Sequence, residues 1–309
     1  MSKKKVVALG GGHGLAATLA ALRKVTSEIT AVVTVADNGG SSGRLREEFK
    51  SLPPGDLRMA LAALCSDDQW GRSWAQIMQY RFTSNGQMNN HALGNLILTA
   101  LWDRDGDPVA GIARVGELLK IVGTVLPMAL EPLDIEGVFE VDGSTKTIRG
   151  QVEVATTKGI VKSLHMIPES PKATPQAIQA IADADWLTFG PGSWFSSVMP
   201  HFLVKEQVKA IVASPAKKIM IFNLPESKEA GEYAGNSAAD HLNLILSHCP
   251  ELKIDIALAD TSVAKAGGEL SKVVTELGGE LILGDFSREK GENHHDISKL
   301  ASTFAHIFA

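Results

Sequence analysis

Val6-Val-Ala-Leu9 is a continuous apolar run that stops at three glycines, and Leu15 to Leu22 then repeats apolar residues at helical spacing. Run, glycine turn and periodic stretch together predict a buried strand feeding a helix. A second apolar run, Ile29 to Val35, is followed by Asp37 and completes a βαβ unit, whose buried parallel strands call for helices on both faces. From Asp56 to Gly123 the texture turns helical, through Leu57 to Leu64, Trp74 to Phe82, Leu93 to Trp102 and Ile112 to Val122. With no strand candidate among them, these stretches predict a helical insert over 56–123, with Thr83 to Asn90 as its polar loop.

Between Ile135 and Ile167 the pattern switches to alternation, in Gly137-Val-Phe-Glu-Val-Asp-Gly143 and Gly150-Gln-Val-Glu-Val-Ala155, with turn residues between. This predicts a small antiparallel addition over 135–167 with a strand in each stretch. After Pro168 strands return at Trp186 to Phe189, Lys218 to Phe222, Ile254 to Ala259 and Glu280 to Leu283. Helices are expected between and after them, at Pro175 to Ala184, Ser197 to Ala213, Ala238 to Ser247 and Ile297 to Phe308. The fold class is α/β: a Rossmann-like, mainly parallel sheet with helices on both faces. No repeat or low-complexity linker divides the chain, so residues 1–309 are expected to form one domain.

Composition narrows the function classes. The 309 residues are 44% hydrophobic, enough to bury a large core, and 30 Lys and Arg against 35 Asp and Glu leave a net charge of −5. Such a balance repels nucleic acid unless a basic face is segregated, and no such run occurs. The apolar run at Val6 is too short for a membrane span or a signal core. Cys65 and Cys249 have neither metal-ligand nor CxxC spacing, which points to a reducing cytoplasm.

Chemistry is expected where strands turn into helices. Gly10, Gly11, Gly12, His13 and Gly14 sit at the first such turn, where glycine lets the backbone approach a ligand and the helix start offers free amides to an anion. The run satisfies GxGxxG at Gly10 and Gly12, but Leu15 holds the third glycine position, so it is not a clean dinucleotide motif. After the second strand come Asp37, Asn38, Gly39, Gly40, Ser41, Ser42 and Gly43, then Arg44 and Arg46. Asp37 stands where an acidic residue would accept from ribose hydroxyls, and the loop behind it supplies amides, hydroxyls and guanidinium groups suited to phosphate or carboxylate. A local turn at Asp-Asn-Gly is the bland alternative.

Asp56 and Arg58 open the insert, where Asp56 is expected to cap a helix. His91 and Asn95, four apart, can share one helix face. A second strand-to-helix glycine loop, Gly190, Pro191, Gly192 and Ser193, with Ser196 and Ser197 behind it, places further amides at the same sheet edge. Asn223, in Phe222-Asn-Leu-Pro225, closes a later strand with an amide that can face the cleft, and Gly235 to His241 begins the next helix. His294-His295-Asp296 lacks a third ligand, and Asp296 reads as an N-cap, so no metal is assigned.

In order, Gly10-Gly-Gly-His-Gly14, Val35-Ala-Asp-Asn-Gly-Gly-Ser-Ser-Gly-Arg-Leu-Arg46, Pro54-Gly-Asp-Leu-Arg58, His91-Ala-Leu-Gly-Asn-Leu96 and Gly190-Pro-Gly-Ser-Trp-Phe-Ser-Ser197 resemble the YvcK family of gluconeogenesis factors, related to the phospholactate transferase CofD. The likeness runs from the first strand through the final helices. It implies a Rossmann-like cytoplasmic homo-oligomer needed for cell shape and wall synthesis on gluconeogenic carbon sources, binding UDP-sugars such as UDP-N-acetylglucosamine. The family name implies no established reaction. The chain departs from the pattern at Asn38, where many relatives carry a second aspartate, and at Asn90, usually glycine.

Three functions are therefore carried forward. The first is a UDP-sugar-binding regulator acting on a wall-synthesis partner, without nucleic acid or membrane insertion. The second is a CofD-like transferase in which magnesium, held by carboxylates such as Asp37, offsets a diphosphate leaving group. The third is a nicotinamide-dependent oxidoreductase, argued from the βαβ unit alone. The sequence shows no carboxylate pair at close spacing, which ranks the regulator first.

Overall fold

The structure is a computed structural model describing residues 3–224, 236–264, 268–289 and 294–309. Pro225 and Gly235, which border two of the sequence stretches above, lie outside the described residues. In chain order the elements are β1 (Val6–Gly10), α1 (Gly12–Leu22), β2 (Ile29–Val33), α2 (Gly40–Phe49), α3 (Gly55–Leu64), α4 (Gln69–Gln79), α5 (Leu93–Asp105), α6 (Pro108–Leu119) and β3 (Thr124–Pro127). Then follow β4 (Asp134–Val141), β5 (Ser144–Arg149), α7 (Gln151–Thr156), β6 (Ile160–Ile167), α8 (Pro175–Ala182) and β7 (Trp186–Phe189). A π-helical turn (Trp194–Val198), α9 (Pro200–Leu203), α10 (Lys205–Ala213), β8 (Lys217–Ile221), α11 (Ala238–His248), β9 (Ile256–Asp260), α12 (Thr261–Ala264), α13 (Glu269–Glu276), β10 (Glu280–Gly284) and α14 (Ile297–Ile307) complete the described elements.

Seven strands form one sheet in the order β10-β9-β8-β7-β1-β2-β3, and every pairing is parallel. The chain runs outward from β1 to β3 on one side, then returns to β7 beside β1 and runs outward again to β10. The order reverses between β1 and β7, and in an open parallel sheet the crevice beyond the carboxyl ends of such strands receives ligands. Val6 to Gly10 are all buried, as a central strand covered on both faces must be.

β4 pairs antiparallel with β5 and β6 in a second, three-stranded sheet. It packs through Phe139 against the π-helical turn that follows β7, where the Phe195 ring meets it edge-on at 5.9 Å, and the buried residues of both sheets belong to one continuous core. Among the described residues, no helix is long and apolar enough to cross a membrane.

Four expectations are corrected. Gly150 to Ala155 is not a strand: Gly150, at φ 112, turns the chain, and residues from Gln151 form α7, which buries Val154. The missing strand is instead the polar Ser144–Arg149, an exposed edge whose threonines suit β structure but whose charge hides the alternation. The Gly40 to Arg46 segment is not a loop but the start of α2; its only apolar core residue is Leu45, so helical periodicity barely registers. Ser197 to Ala213 is broken into a π turn and two helices, because Pro200 has no amide to continue the ladder and Val204 is extended. The strand β3, directly after the insert, carries no long apolar run.

Candidate functional site

The two glycine loops meet. A side-chain carbon on Gly14 would lie 2.1 Å from the Pro191 carbonyl oxygen and 2.7 Å from the Gly192 nitrogen, so only glycine allows the contact. Gly192 is pinned from the other side by Asn223, whose Oδ1 accepts from the Gly192 amide at 2.8 Å while its Nδ2 donates to the Gly192 carbonyl at 2.7 Å. Gly10 is held from below by His201, buried and pushed down to about pKa 4 by that burial. Gln207 Nε2 donates to its Nδ1 at 2.6 Å, which leaves the Nε2 hydrogen for the Gly10 carbonyl at 3.4 Å. No spacing in the sequence signals His201 or Gln207.

Three helices begin here without a side-chain cap. The positions before α1, α2 and α3 are Gly11, Gly39 and Pro54, none of which caps through its side chain, as is also true of α5, α7, α8, α9, α10 and α13; what sets the first three apart is that their starts lie together. Gly12 and Gly40 open α1 and α2 at φ 61 and 48 with empty space over their Cα atoms. The starts of α2 and α3 are adjacent: a side-chain carbon on Gly55 would lie 2.3 Å from Ser42 Oγ and 2.9 Å from Asp37 Oδ2. Asp56 ties in the start of α1 by accepting the Gly12 amide. Amides and helix dipoles converging in this way make a seat for an anion.

Asp56 is therefore not the N-cap of α3; it lies one residue inside the helix. Its Oδ2 is buried without a partner, close to Gly11 and Thr34. Burial, and then the neighbouring charge of Asp37, push its carboxyl up to about 7. The chain does hold a carboxylate pair, contributed by residues that the sequence separates by an entire helix. Asp37 Oδ1 accepts the Gly39 amide at 2.9 Å. Two aspartates beside a cluster of helix starts fit a magnesium ion completed by phosphate oxygens and water, so Asp37 and Asp56 are the residues that would hold one. Among the described residues, no cluster of three or more His, Cys, Asp or Glu fits a metal.

The pH dependence has a definite sign. Because Asp56 in the folded chain titrates near 7 rather than at its ordinary 3.8, the folded state binds more protons than the unfolded one between these values, and stability falls as pH rises through that window. Asp56→Asn is expected to flatten the fall in melting temperature between pH 5 and pH 8. Parallel curves for wild type and variant would remove Asp56 as the source.

Several predicted site residues spend their side chains on structure. Ser41 Oγ accepts from Asn95 Nδ2 at 3.0 Å and from the Ala92 amide at 3.4 Å, so its hydrogen is left for His91 Nδ1 at 3.0 Å. His91 precedes α5 rather than sharing its face with Asn95, and the trio locks α2 to α5. Arg44 donates to the carbonyls of Gln87 and Asn89, fastening the polar loop, and Arg46 binds Asp134. Asn38 donates to Glu153 Oε2 at 3.0 Å and accepts the Val152 amide at 3.1 Å, which docks α7 against the site. At the same N-terminal turn of α7, Gln151 Nε2 donates to Ser196 Oγ at 3.3 Å, and Ser193 Oγ accepts from both the amide and the hydroxyl of Ser196.

What remains open are the amide-bearing glycines, His13, Asp37, Asp56 and Arg58. Buried side-chain atoms without partners gather beside them: Thr34 Oγ1, Asp56 Oδ2, Arg58 Nε and Asn95 Oδ1.

A family model described as 2-phospho-L-lactate transferase CofD matches residues 6–278. The chain belongs to the CofD family. Within it, a Mycobacterium tuberculosis protein named "Putative gluconeogenesis factor" is 44% identical over 98% of this chain and 90% of its own length. The Listeria monocytogenes "Gluconeogenesis factor" is 36% identical over 97% and 94%. A crystal structure of a Bacillus halodurans member of the UPF0052 family superposes with a TM-score of 0.85 at 34% identity, covering 98% of this chain and 99% of that one. These relatives place the chain in the YvcK branch of the CofD family.

Proposed function

We propose that this CofD-family chain is a cytoplasmic regulator that binds a nucleotide sugar of the UDP-N-acetylglucosamine kind. Its diphosphate would lie where α1, α2 and α3 start, across the reversal between β1 and β7. The observation that carries this reading is the convergence of those three helix starts, none capped by the side chain of the residue before it, with Gly12 and Gly40 facing open space. The names of the relatives support a role in growth on gluconeogenic carbon sources. On this reading the occupied form, as a homo-oligomer, acts on a wall-synthesis partner and so governs cell shape.

A thermal-shift screen of UDP-sugars, GDP and dinucleotides tests the reading. A ligand at a hundred times its Kd adds about 2.7 kcal/mol, which in a chain of this size raises the melting temperature by on the order of 5 °C. A UDP-sugar is expected to give the largest shift; a shift confined to dinucleotides would overturn the reading.

The paired Asp37 and Asp56 favour a second reading, a CofD-like transferase, because magnesium held there would stabilise a departing diphosphate. The chain's own part would be to hold the donor on the glycine loops and keep the pair beside it. Magnesium-dependent release of a nucleotide from a UDP-sugar and an acceptor would establish it.

A further inference from the structure

A cavity of about 380 Å³ lies between strand β6 and helices α9, α10 and α11, and it shares no lining residue with the glycine loops. Small-molecule sites begin at roughly 300 Å³ and set a few polar groups into apolar walls. This cavity has both parts. Met166 of β6 with Phe202 and Leu203 of α9 belong to its apolar lining. Its charged lining comes from Lys205 and Lys209 of α10 and from Glu169, just after β6, with His165 of β6 and His248 of α11 beside them. The two lysines, four apart, share one helix face. Against one glutamate they leave a single net positive charge before the imidazoles are counted. Lys205 Nζ donates to Ser170 Oγ at 3.2 Å, whereas Lys209 and Glu169 make no hydrogen bond or ion pair among the described residues. His248 is half-buried and held below its ordinary value by that burial and then by His165.

The helices that wall this cavity also hold the glycine loops. The Phe202 ring packs at 5.0 Å on Phe189, the last residue of β7 before Gly190. One position earlier on α9, His201 meets the Gly10 carbonyl at 3.4 Å. Gln207, which bonds His201 at 2.6 Å, lies on α10 between Lys205 and Lys209. Anything wedged against α9 and α10 therefore bears on both loops through direct contacts.

We propose that this cavity is an effector site for a small amphipathic carboxylate, with its aliphatic body against Met166, Phe202 and Leu203 and its head towards Lys205 and Lys209. The single net positive charge matches a monoanion, and the apolar lining has no use for a ligand that is polar throughout. The occupant braces α9 and α10 and thereby restrains Gly10 and the loop after Phe189. Coupling of this kind is reciprocal, so a ligand on the glycine loops changes the affinity of the cavity in turn. The proposal holds whatever ligand the glycine loops take.

Calorimetric titration of the full chain with octanoate tests it, with acetate as the head alone and octanol as the body alone. Octanoate is expected to bind more tightly than either, and Lys209→Glu to weaken it roughly tenfold, because an attraction becomes a repulsion. Lys209 is exposed, so the variant is expected to fold, which an unchanged circular dichroism spectrum checks; the octanol comparison needs no variant. Bound octanoate is also expected to slow hydrogen exchange at the Gly10 to Gly14 amides severalfold. Acetate or octanol binding as tightly as octanoate, octyl phosphate binding more tightly, indifference to Lys209→Glu, or no octanoate binding would each overturn the carboxylate site. Octanoate binding that leaves exchange at Gly10 to Gly14 unchanged would overturn its effector role. No nucleotide enters these measurements, so failure of the UDP-sugar reading leaves their outcome intact.

Discussion

Gly12→Val is expected to abolish the proposed nucleotide-sugar binding and to leave the fold in place. Gly12 sits at φ 61 with nothing within 4 Å of where its side chain would be, so the new branch enters open space where the ligand is proposed to lie. A left-handed valine costs about 1–2 kcal/mol of stability, which a chain with so large a core tolerates. On the proposed reading, the same branch displaces the phosphate from the helix start and lowers affinity by roughly a hundredfold or more. Calorimetry with UDP-N-acetylglucosamine, alongside circular dichroism, separates the two effects. Unchanged affinity in a folded variant would return the loop to a structural turn. Gly14→Ala makes the contrast, because its methyl meets the backbone of Pro191 and Gly192 and disturbs packing directly.

The central sheet was legible because burial on both faces leaves unbroken apolar runs, and because the two glycine loops follow two of those runs. Right-handed parallel connections then gather such loops on one edge of the sheet, which is where Gly14 touches Pro191. What the sequence concealed has two physical causes. Helix α2 and strand β5 are mostly polar, with little core face to imprint a period, so they read as loop and turn. The carboxylate pair and the bond from His201 to Gly10 join distant segments, set by how helices pack rather than by spacing along the chain. Side-chain chemistry misled in a related way: Ser41, Arg44 and Asn38 have the donors a phosphate wants, yet each uses them to fasten one site element to another.

Chelation separates the two readings of this site. An isolated Asp37 would have been a poor holder of a cation, but Asp56 stands beside it, and at neutral pH the pair shares the strain of two adjacent charges by keeping Asp56 near its titration point. A magnesium ion would relieve that strain and release a proton, so magnesium affinity is expected to rise with pH through about 7. The anion seat itself is built from amides and helix dipoles, which need no metal. For a regulator, UDP-sugar binding therefore survives EDTA with a loss of less than about tenfold, and Asp37→Asn weakens binding modestly because an amide keeps part of the hydrogen bonding. For a transferase, the same variant removes magnesium-dependent turnover, since the hard cation requires charged oxygen. The expected result is binding that persists in EDTA. Loss of binding on chelation, restored by magnesium and absent in Asp37→Asn, would make the transferase the leading function and the Asp37–Asp56 pair its metal seat.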